Sequence, residues 1–213
     1  MIIKFIKSAK NERMMFVPFF LFAKFTEQLL GRSKAFVLGW ELSYIGYGSR
    51  FRGTKSIQVK PGAYINRGAW IDAIYSFGDQ KFNPIIIIGR NFSAADRLHI
   101  SAINSISIGD DCLFGSGIYI SDHNHGSYKG DIQSDVNEAP IKRLLTSFGK
   151  VDIGSNVWLG DNVIVLGSVS IGSGSVIGAN SVITKDVPPN VMVAGSPYRI
   201  LKKFDEKSKR WEY

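Results

Sequence analysis

The sequence predicts an all-β chain that coils as a parallel β-helix, and three observations lead to that prediction. The first is a run of six consecutive hexads, each opened by an aliphatic residue: Ile153, Leu159, Val165, Ile171, Ile177 and Ile183. The second is the same period upstream, at Val59, Ile65 and Ile71 and again at Ile108, Phe114 and Ile120. The third is a long polar interruption between Ile120 and Ile153. Neither the helical period of 3.6 nor the strand alternation of two produces a period of six.

A three-sided prism explains this period physically. Six residues form one flat side, and three sides complete one coil. The opening aliphatic residue and the small fifth residue point inward, while Gly or Asn at the corners tolerates the backbone angles of a tight turn. Neighbouring coils then pair as parallel strands and bury a continuous ladder of apolar side chains. We expect this β-helix to span residues 42–190.

The two ends of the chain do not follow the hexad pattern of the coils. Residues 1–41 form a predicted N-terminal helical segment, whose apolar run from Met14 to Ala23 is too short to span a membrane. We expect it to pack on the domain, with contact at the inner membrane surface as an alternative. Pro188 and Pro189 end the last coil. Residues 191–213 are predicted to be a C-terminal cap, with a short charged helix over 199–213.

Composition limits the classes of function. With 45% hydrophobic and 21% charged residues among 213, the chain is globular rather than disordered. Its single cysteine, Cys112, excludes an intramolecular disulfide and a zinc site built from thiols of one chain. The net charge of +8 suits anionic partners such as phosphates, and is equally compatible with an ordinary solvated surface. We expect a cytoplasmic protein with no nucleic-acid partner.

The interruption, residues 121–150, is predicted to be a long loop leaving one corner of the prism. It carries the cluster Asp122-His123-Asn124-His125. Histidine is the usual general base near neutral pH, and a neighbouring carboxylate such as Asp122 can orient it. A loop of this length inside a compact domain is typical of a functional site.

The hexads resemble those of the hexapeptide-repeat acetyltransferases, and so do Val157-Trp158-Leu159-Gly160 and the closing segment from Thr184 to Arg199. The resemblance covers about residues 45–203. It is nearest to the galactoside, maltose and nodulation-factor enzymes and to the O-acetyltransferases of bacterial surface polysaccharides. It implies a left-handed coil, a homotrimer, acetyl-CoA as the donor without a metal, and active sites between adjacent prisms.

The resemblance also implies site residues. Counting from Gly109 places the catalytic histidine at His125, whereas an Asp-His pair favours His123. The family's acceptor-binding Asn corresponds to Ala95 here, so acceptor contact would fall to nearby residues, among which we predict Arg97 and His99 as substrate-binding. The predicted acetyl-CoA contacts are Trp158, Gly160, Asp161, Ala179, Thr184, Lys185, Arg199 and Lys202.

The function that follows is acetyl transfer from acetyl-CoA to a sugar hydroxyl, on a bacterial surface polysaccharide or its precursor. Three alternatives stay open from the sequence. They are acyl transfer to an amino sugar or small molecule, a zinc-dependent β-helix hydratase that uses the histidines, and a trimeric scaffold without catalysis.

Overall fold

The computed structural model describes residues 17–147 and 149–213, and within them the chain forms a three-sided parallel β-helix. The first face contains strands Tyr44–Ile45, Tyr64–Ile65, Ser93–Ala94, Leu113–Phe114, Trp158–Leu159, Val176–Ile177, Val191–Gly195, Tyr198–Asp205 and Arg210–Glu212. The second face contains Arg50–Arg52, Trp70–Ala73, His99–Ala102, Tyr119–Ser121, Ile164–Leu166 and Val182–Ile183. The third face contains Ile57–Val59, Ile85–Ile88, Ser105–Ile108, Val151–Ile153 and Val169–Ile171.

The core is a set of ladders in which equivalent residues of successive coils stack in register. On the second face, for example, Ile71 pairs with Ile100, Ile100 with Ile120, and Ile120 with Val165. All six residues that open the hexads from Ile153 to Ile183 are at most 3% exposed. The fifth residues of these hexads are equally buried, including Ser175 and Ser181. The predicted inward orientation is therefore confirmed.

Two corners of the prism differ in regularity. The regular corner, where the third face passes into the first, comprises residues 60–62, 89–91, 109–111, 154–156 and 172–174. The insertion corner, where the second face passes into the third, comprises residues 74–84, 103–104, 122–147, 149–150, 167–168 and 184–186. It contains two extra segments: a hairpin of Ser76–Phe77 with Gln80–Lys81, and the long loop with its own hairpin, Asn124–His125 with Leu145–Thr146. Short 3-10 turns occur at Thr54–Ser56 and Pro140–Lys142.

The N-terminal helix, Val17–Val37, lies against the first coil. Gly31 and Ala35 are buried there, and a Cβ on Gly31 would lie only 2.3 Å from the ring of Tyr44. The expected packing of this segment on the domain is therefore observed for the helix. Its basic residues before position 17 and the first part of its apolar run lie outside the described residues. Between residues 17 and 213, no described helix is both long and apolar enough to cross a membrane.

The C-terminal region corrects one prediction. Residues 199–213 do not form a charged helix: Tyr198–Asp205 is a strand antiparallel to Val191–Gly195, and Arg210–Glu212 pairs antiparallel with it. The Lys-rich composition suggested a helix. However, the exposed edge of Val191–Gly195 offers backbone hydrogen bonds to any chain that turns back beside it, and this tertiary pairing outweighs local propensity.

Candidate active site

The two insertions of the insertion corner dock on each other. Gln80, in the smaller hairpin, makes two hydrogen bonds to the backbone of Leu145. Its Nε2 donates to the carbonyl at 3.0 Å, and its Oε1 accepts from the N–H at 2.8 Å. The ring of Phe77 meets His125 edge-on, with centroids 5.1 Å apart. The smaller hairpin therefore supports the long loop that carries the histidines.

Asp122 and His123 form an oriented pair at the start of this loop. The Asp122 carboxylate is fully buried and accepts the backbone N–H groups of Ile103 at 3.0 Å and Asn104 at 2.8 Å. The Asp122 Oδ1 that accepts from Ile103 also lies 3.0 Å from His123 Nδ1. An ionised carboxylate only accepts hydrogen bonds, so Nδ1 is the donor of this bond, and a neutral imidazole donating from Nδ1 has its lone pair on Nε2. The preceding coil thus fixes the carboxylate, and the carboxylate fixes the tautomer and orientation of His123.

His125 is placed differently, although it lies only two residues away. It belongs to the exposed strand Asn124–His125, and its backbone carbonyl accepts from the Tyr128 hydroxyl at 2.6 Å. The Arg143 guanidinium donates to that hydroxyl at 2.9 Å and also donates to backbone carbonyls of the loop. Within the described part of the chain, the structure gives the His125 ring no carboxylate partner. The described contacts of His125 are thus those of its carbonyl with Tyr128 and of its ring with Phe77.

His99 lies on the outer side of the second face, in a ladder of aromatic side chains. It stacks on Trp70 with centroids 4.4 Å apart and meets Tyr119 edge-on at 4.9 Å. Burial lowers the pKa of His99; the negative charge of Asp72 opposes this shift and the charge of His123 adds to it. His99 is therefore within electrostatic reach of His123. Arg97 is not part of this ladder, since it lies at the corner between the first and second faces with a φ of 60°.

The predicted acetyl-CoA residues fall into separate places. Trp158 lies on the outer side of the first face and is 51% exposed. Gly160, Asp161 and Ala179 follow at the corner between the first and second faces, where the Asp161 carboxylate accepts the N–H of Ser116 at 2.7 Å. A Cβ on Gly160 would lie 2.7 Å from the backbone N of Ala179, so close stacking of coils explains this glycine.

Thr184 and Lys185 are on the insertion corner, below the loop that carries His123. The Lys185 ammonium lies 5.0 Å from the ring centroid of Tyr198, and the Tyr198 hydroxyl donates to the Asp186 carbonyl. Arg199 is exposed on the antiparallel strand beside Ala194, and Lys202 lies over the ring of Tyr213 at 4.4 Å. The structure therefore brings together Lys185 and the start of the C-terminal strand.

Sequence reasoning missed the residues of the smaller hairpin and the aromatic ladder. A signal for the hairpin was present: the hexad period fails between Ile71 and Ile86, and Gly78-Asp79 in that gap is a typical two-residue turn. In the described ranges, no group of three or more His, Cys, Asp or Glu side chains is arranged to hold a metal ion.

Comparison with known proteins agrees with this architecture. Residues 150–185 match the family model for bacterial transferase hexapeptide (six repeats), and residues 101–121 match the hexapeptide repeat of succinyl-transferase. The galactoside O-acetyltransferase of Escherichia coli is 32% identical over 158 residues, which cover 71% of this chain and 68% of that protein. The chain belongs to the hexapeptide-repeat acetyltransferase family. The family predicted from the hexads and the closing segment is confirmed.

Three further comparisons are informative, one with a related sequence and two with solved structures. The putative lipopolysaccharide biosynthesis O-acetyl transferase WbbJ of Escherichia coli is 45% identical over 129 residues, covering 60% of this chain and 65% of that relative, or just under two thirds of its length. The structure of galactoside acetyltransferase in complex with coenzyme A is 27% identical, with a TM-score of 0.52 over 78% of this chain and 70% of that one. The Bacillus cereus N-acyltransferase AntD, at 17% identity and a TM-score of 0.61, covers 83% and 91% and shows the shared fold.

Proposed function

We propose that this chain transfers an acetyl group from acetyl-CoA to a hydroxyl of a sugar, with His123 as the general base. The observation that carries the proposal is the Asp122–His123 pair, because the buried carboxylate holds the imidazole with its Nε2 lone pair free. Of the two histidines that the sequence left open, only His123 has such a partner in the described structure.

The chemistry needs a base and then an acid at the same place. Nε2 of His123 takes the proton of the acceptor hydroxyl as its oxygen attacks the thioester carbonyl carbon. The C–S bond then breaks, and the imidazolium returns the proton to the thiolate of coenzyme A. The Asp122 carboxylate stabilises the imidazolium between these steps, which is the role of the third group in such a relay.

A neighbouring subunit supports the donor site in this proposal. The predicted donor residues lie on convex corners and on an outer face of the prism, and a convex edge supplies only one wall of a groove. We therefore propose a homotrimer in which acetyl-CoA lies between two prisms. Lys185, Arg199 and Lys202 would supply cations for its phosphates, and the exposed ring of Trp158 would supply an apolar contact.

The relatives support a sugar acceptor. One is named for lipopolysaccharide biosynthesis and the other for galactosides, and both are O-acetyl transferases. We place the acceptor beside His99, whose ladder adjoins His123. Acyl transfer to an amino sugar or another small molecule is the alternative, and an acceptor screen separates it from transfer to a hydroxyl.

The test is transfer of a labelled acetyl group from acetyl-CoA to a panel of sugars and oligosaccharides, with the product located by mass spectrometry. We expect an acetyl ester on an oxygen, and its loss in His123→Ala. An amide product, or unchanged transfer in His123→Ala, would contradict the assignment. Light scattering should give a trimer; an active monomer would contradict the proposed donor groove.

A further inference from the structure

We infer that the acceptor is an anionic oligosaccharide, longer than one sugar ring, which lies along the second face from Arg50 to His123. This inference rests on the proposed function and specifies the substrate class of the same site. It stands on a single row of outward-facing residues that joins the candidate base to a basic cleft at the opposite end of the face.

The row is continuous in register. Arg50 pairs with Trp70, Trp70 with His99, and His99 with Tyr119 in four successive coils. With strands about 4.8 Å apart, these three steps span about 14 Å. That length exceeds a single pyranose ring. The row continues in register with Ile164 and Val182, so its aromatic part ends at Tyr119, four residues before His123.

Among the described residues of the second face from Trp70 to Tyr119, this row is the more open of the two outward rows. The next outward row, Asp72, Ser101 and Ser121, is at most 8% exposed. In contrast, Trp70 is 37% exposed, and His99 and Tyr119 are half-buried. The rings of Trp70 and His99 stack face to face along the row, so they present their edges outward as a continuous apolar strip against which sugar rings can pack. The ladder therefore suits successive sugar rings better than a single small acceptor.

The far end of the row is basic. The Arg52 guanidinium lies 5.6 Å from the ring centroid of Trp70 and 3.7 Å from the Asp72 carboxylate. Arg50 lines a cleft of about 850 Å³ between the N-terminal helix and the first coil, together with Lys34 and Arg67.

The three positively charged side chains of this cleft differ in whether they have a partner. Arg67 pairs with Glu27 at 2.6 Å, and Lys34 donates to the Ser49 carbonyl at 2.7 Å. Among the residues the structure describes, the exposed guanidinium of Arg50 has no ion-pair partner. An exposed, unpaired guanidinium at the end of a sugar-binding surface suits a phosphate or a carboxylate. The anion could be the phosphate that links a glycan to a carrier, or the carboxylate of an acidic sugar.

The test compares Trp70→Ala and Arg50→Gln with matched controls on other parts of the prism. Tyr64→Ala removes a ring that is 40% exposed and stacked on Tyr44, on the first face. Arg90→Gln removes an exposed guanidinium at the regular corner. The acceptors are a neutral monosaccharide, a neutral trisaccharide, the same trisaccharide with a terminal phosphate, and the trisaccharide with a terminal uronic acid.

We expect Trp70→Ala to raise the KM of the trisaccharides by about tenfold or more, because the apolar contact with the exposed part of the indole is lost. The monosaccharide KM, the kcat and the acetyl-CoA KM should stay within about twofold of the parent value. Arg50→Gln should raise the KM of one anionic trisaccharide alone, and which one responds identifies phosphate or carboxylate as the group bound. Both controls should leave every KM unchanged.

Three results would overturn the inference. They are equal KM values for mono- and trisaccharides in the parent protein, equal effects of Trp70→Ala and Tyr64→Ala, and a change of assembly state in Trp70→Ala without a change in KM. Calorimetric binding of the anionic trisaccharides without acetyl-CoA separates this inference from the proposed function. Binding that depends on Trp70 without transfer contradicts the function alone, and transfer that ignores acceptor length and charge contradicts the inference alone.

Discussion

The regular corner and the insertion corner are built on the same core, yet they use their residues differently. At the regular corner, successive coils stack so tightly that a Cβ on Gly109 would lie 2.6 Å from the backbone of Gly154. Asn91 and Asp111 adopt left-handed φ values there, and the Asn91 amide donates to the Asp111 carboxylate at 3.0 Å. At the insertion corner, the chain leaves the prism twice and returns in register. The repeat supplies a rigid frame, and the departures from the repeat carry the candidate chemistry.

The contrast between His123 and His125 gives the largest expected effect. His123→Ala should lower kcat by about 10² to 10⁴, because the positioned base is lost. His125→Ala is the matched control from the same loop, and it should cost less than about tenfold because only the contact with Phe77 is removed. Initial rates at saturating acetyl-CoA measure both. A larger loss in His125→Ala would reverse the two assignments.

The next effect compares a lysine of each corner. Lys185→Ala, at the insertion corner, and Arg199→Ala should each weaken acetyl-CoA binding by up to about 1.5–3 kcal/mol, the usual range for one charge-assisted contact. Lys60 is an exposed lysine of the regular corner, and Lys60→Ala should leave acetyl-CoA binding unchanged. The donor KM of the three variants is the measurement. An unchanged donor KM in both Lys185→Ala and Arg199→Ala would show that the phosphates bind elsewhere.

A substitution at the regular corner should change the stability of the protein and not its activity. Gly109→Ala should lower the free energy of unfolding by about 1–3 kcal/mol, because the added methyl group overlaps backbone atoms of the next coil. Turnover per folded molecule should be unchanged. Denaturant unfolding combined with active-site titration tests both statements. A loss of turnover at full folding would place a function at this corner too.

The contact between the smaller hairpin and the long loop should affect the local stability of that loop. Gln80→Ala removes two hydrogen bonds to Leu145, at about 1 kcal/mol each. Amide exchange of the long loop should increase while exchange in the coils stays the same. Gln133→Ala removes a single bond within the loop, from the Gln133 amide to the Gly130 carbonyl, and serves as the control. Equal exchange in both variants would show that the smaller hairpin does not hold the loop.

The smallest effect concerns the pH dependence of stability. The pKa of His99 is lowered in the native state, chiefly by burial, so the unfolded chain binds more protons in mildly acidic solution. Its contribution to stability is therefore present above the ordinary pKa of about 6.5 and decreases as the pH falls from there toward the native pKa. The Tm is measured at about pH 7.5 and about pH 5.5, roughly one unit on either side of the ordinary histidine pKa. Between these two pH values, the Tm should fall less in His99→Gln than in the parent.

Much of the prism could be predicted, because each coil repeats one physical requirement. Ile153 and its five successors are inward for the same reason, and one observation of period fixes them all. The pairing of Asn124–His125 with Leu145–Thr146 could not be predicted, since it joins residues about twenty apart through a loop without a period. The choice of His123 over His125 depends on the N–H groups of Ile103 and Asn104, which only the stacking of coils brings beneath Asp122.

The antiparallel turn at the C-terminal end has a consequence for assembly. A parallel β-helix is a stack that another coil could extend indefinitely, since each open end exposes unpaired backbone groups. Here Tyr198–Asp205 reverses direction against Val191–Gly195, and the outermost strand carries the charges of Arg210 and Glu212. At the opposite end, the helix Val17–Val37 lies against the first coil. The reversed strand and the helix both hinder end-to-end stacking of prisms. We therefore expect copies of the chain to associate side by side, through the long walls of the prism.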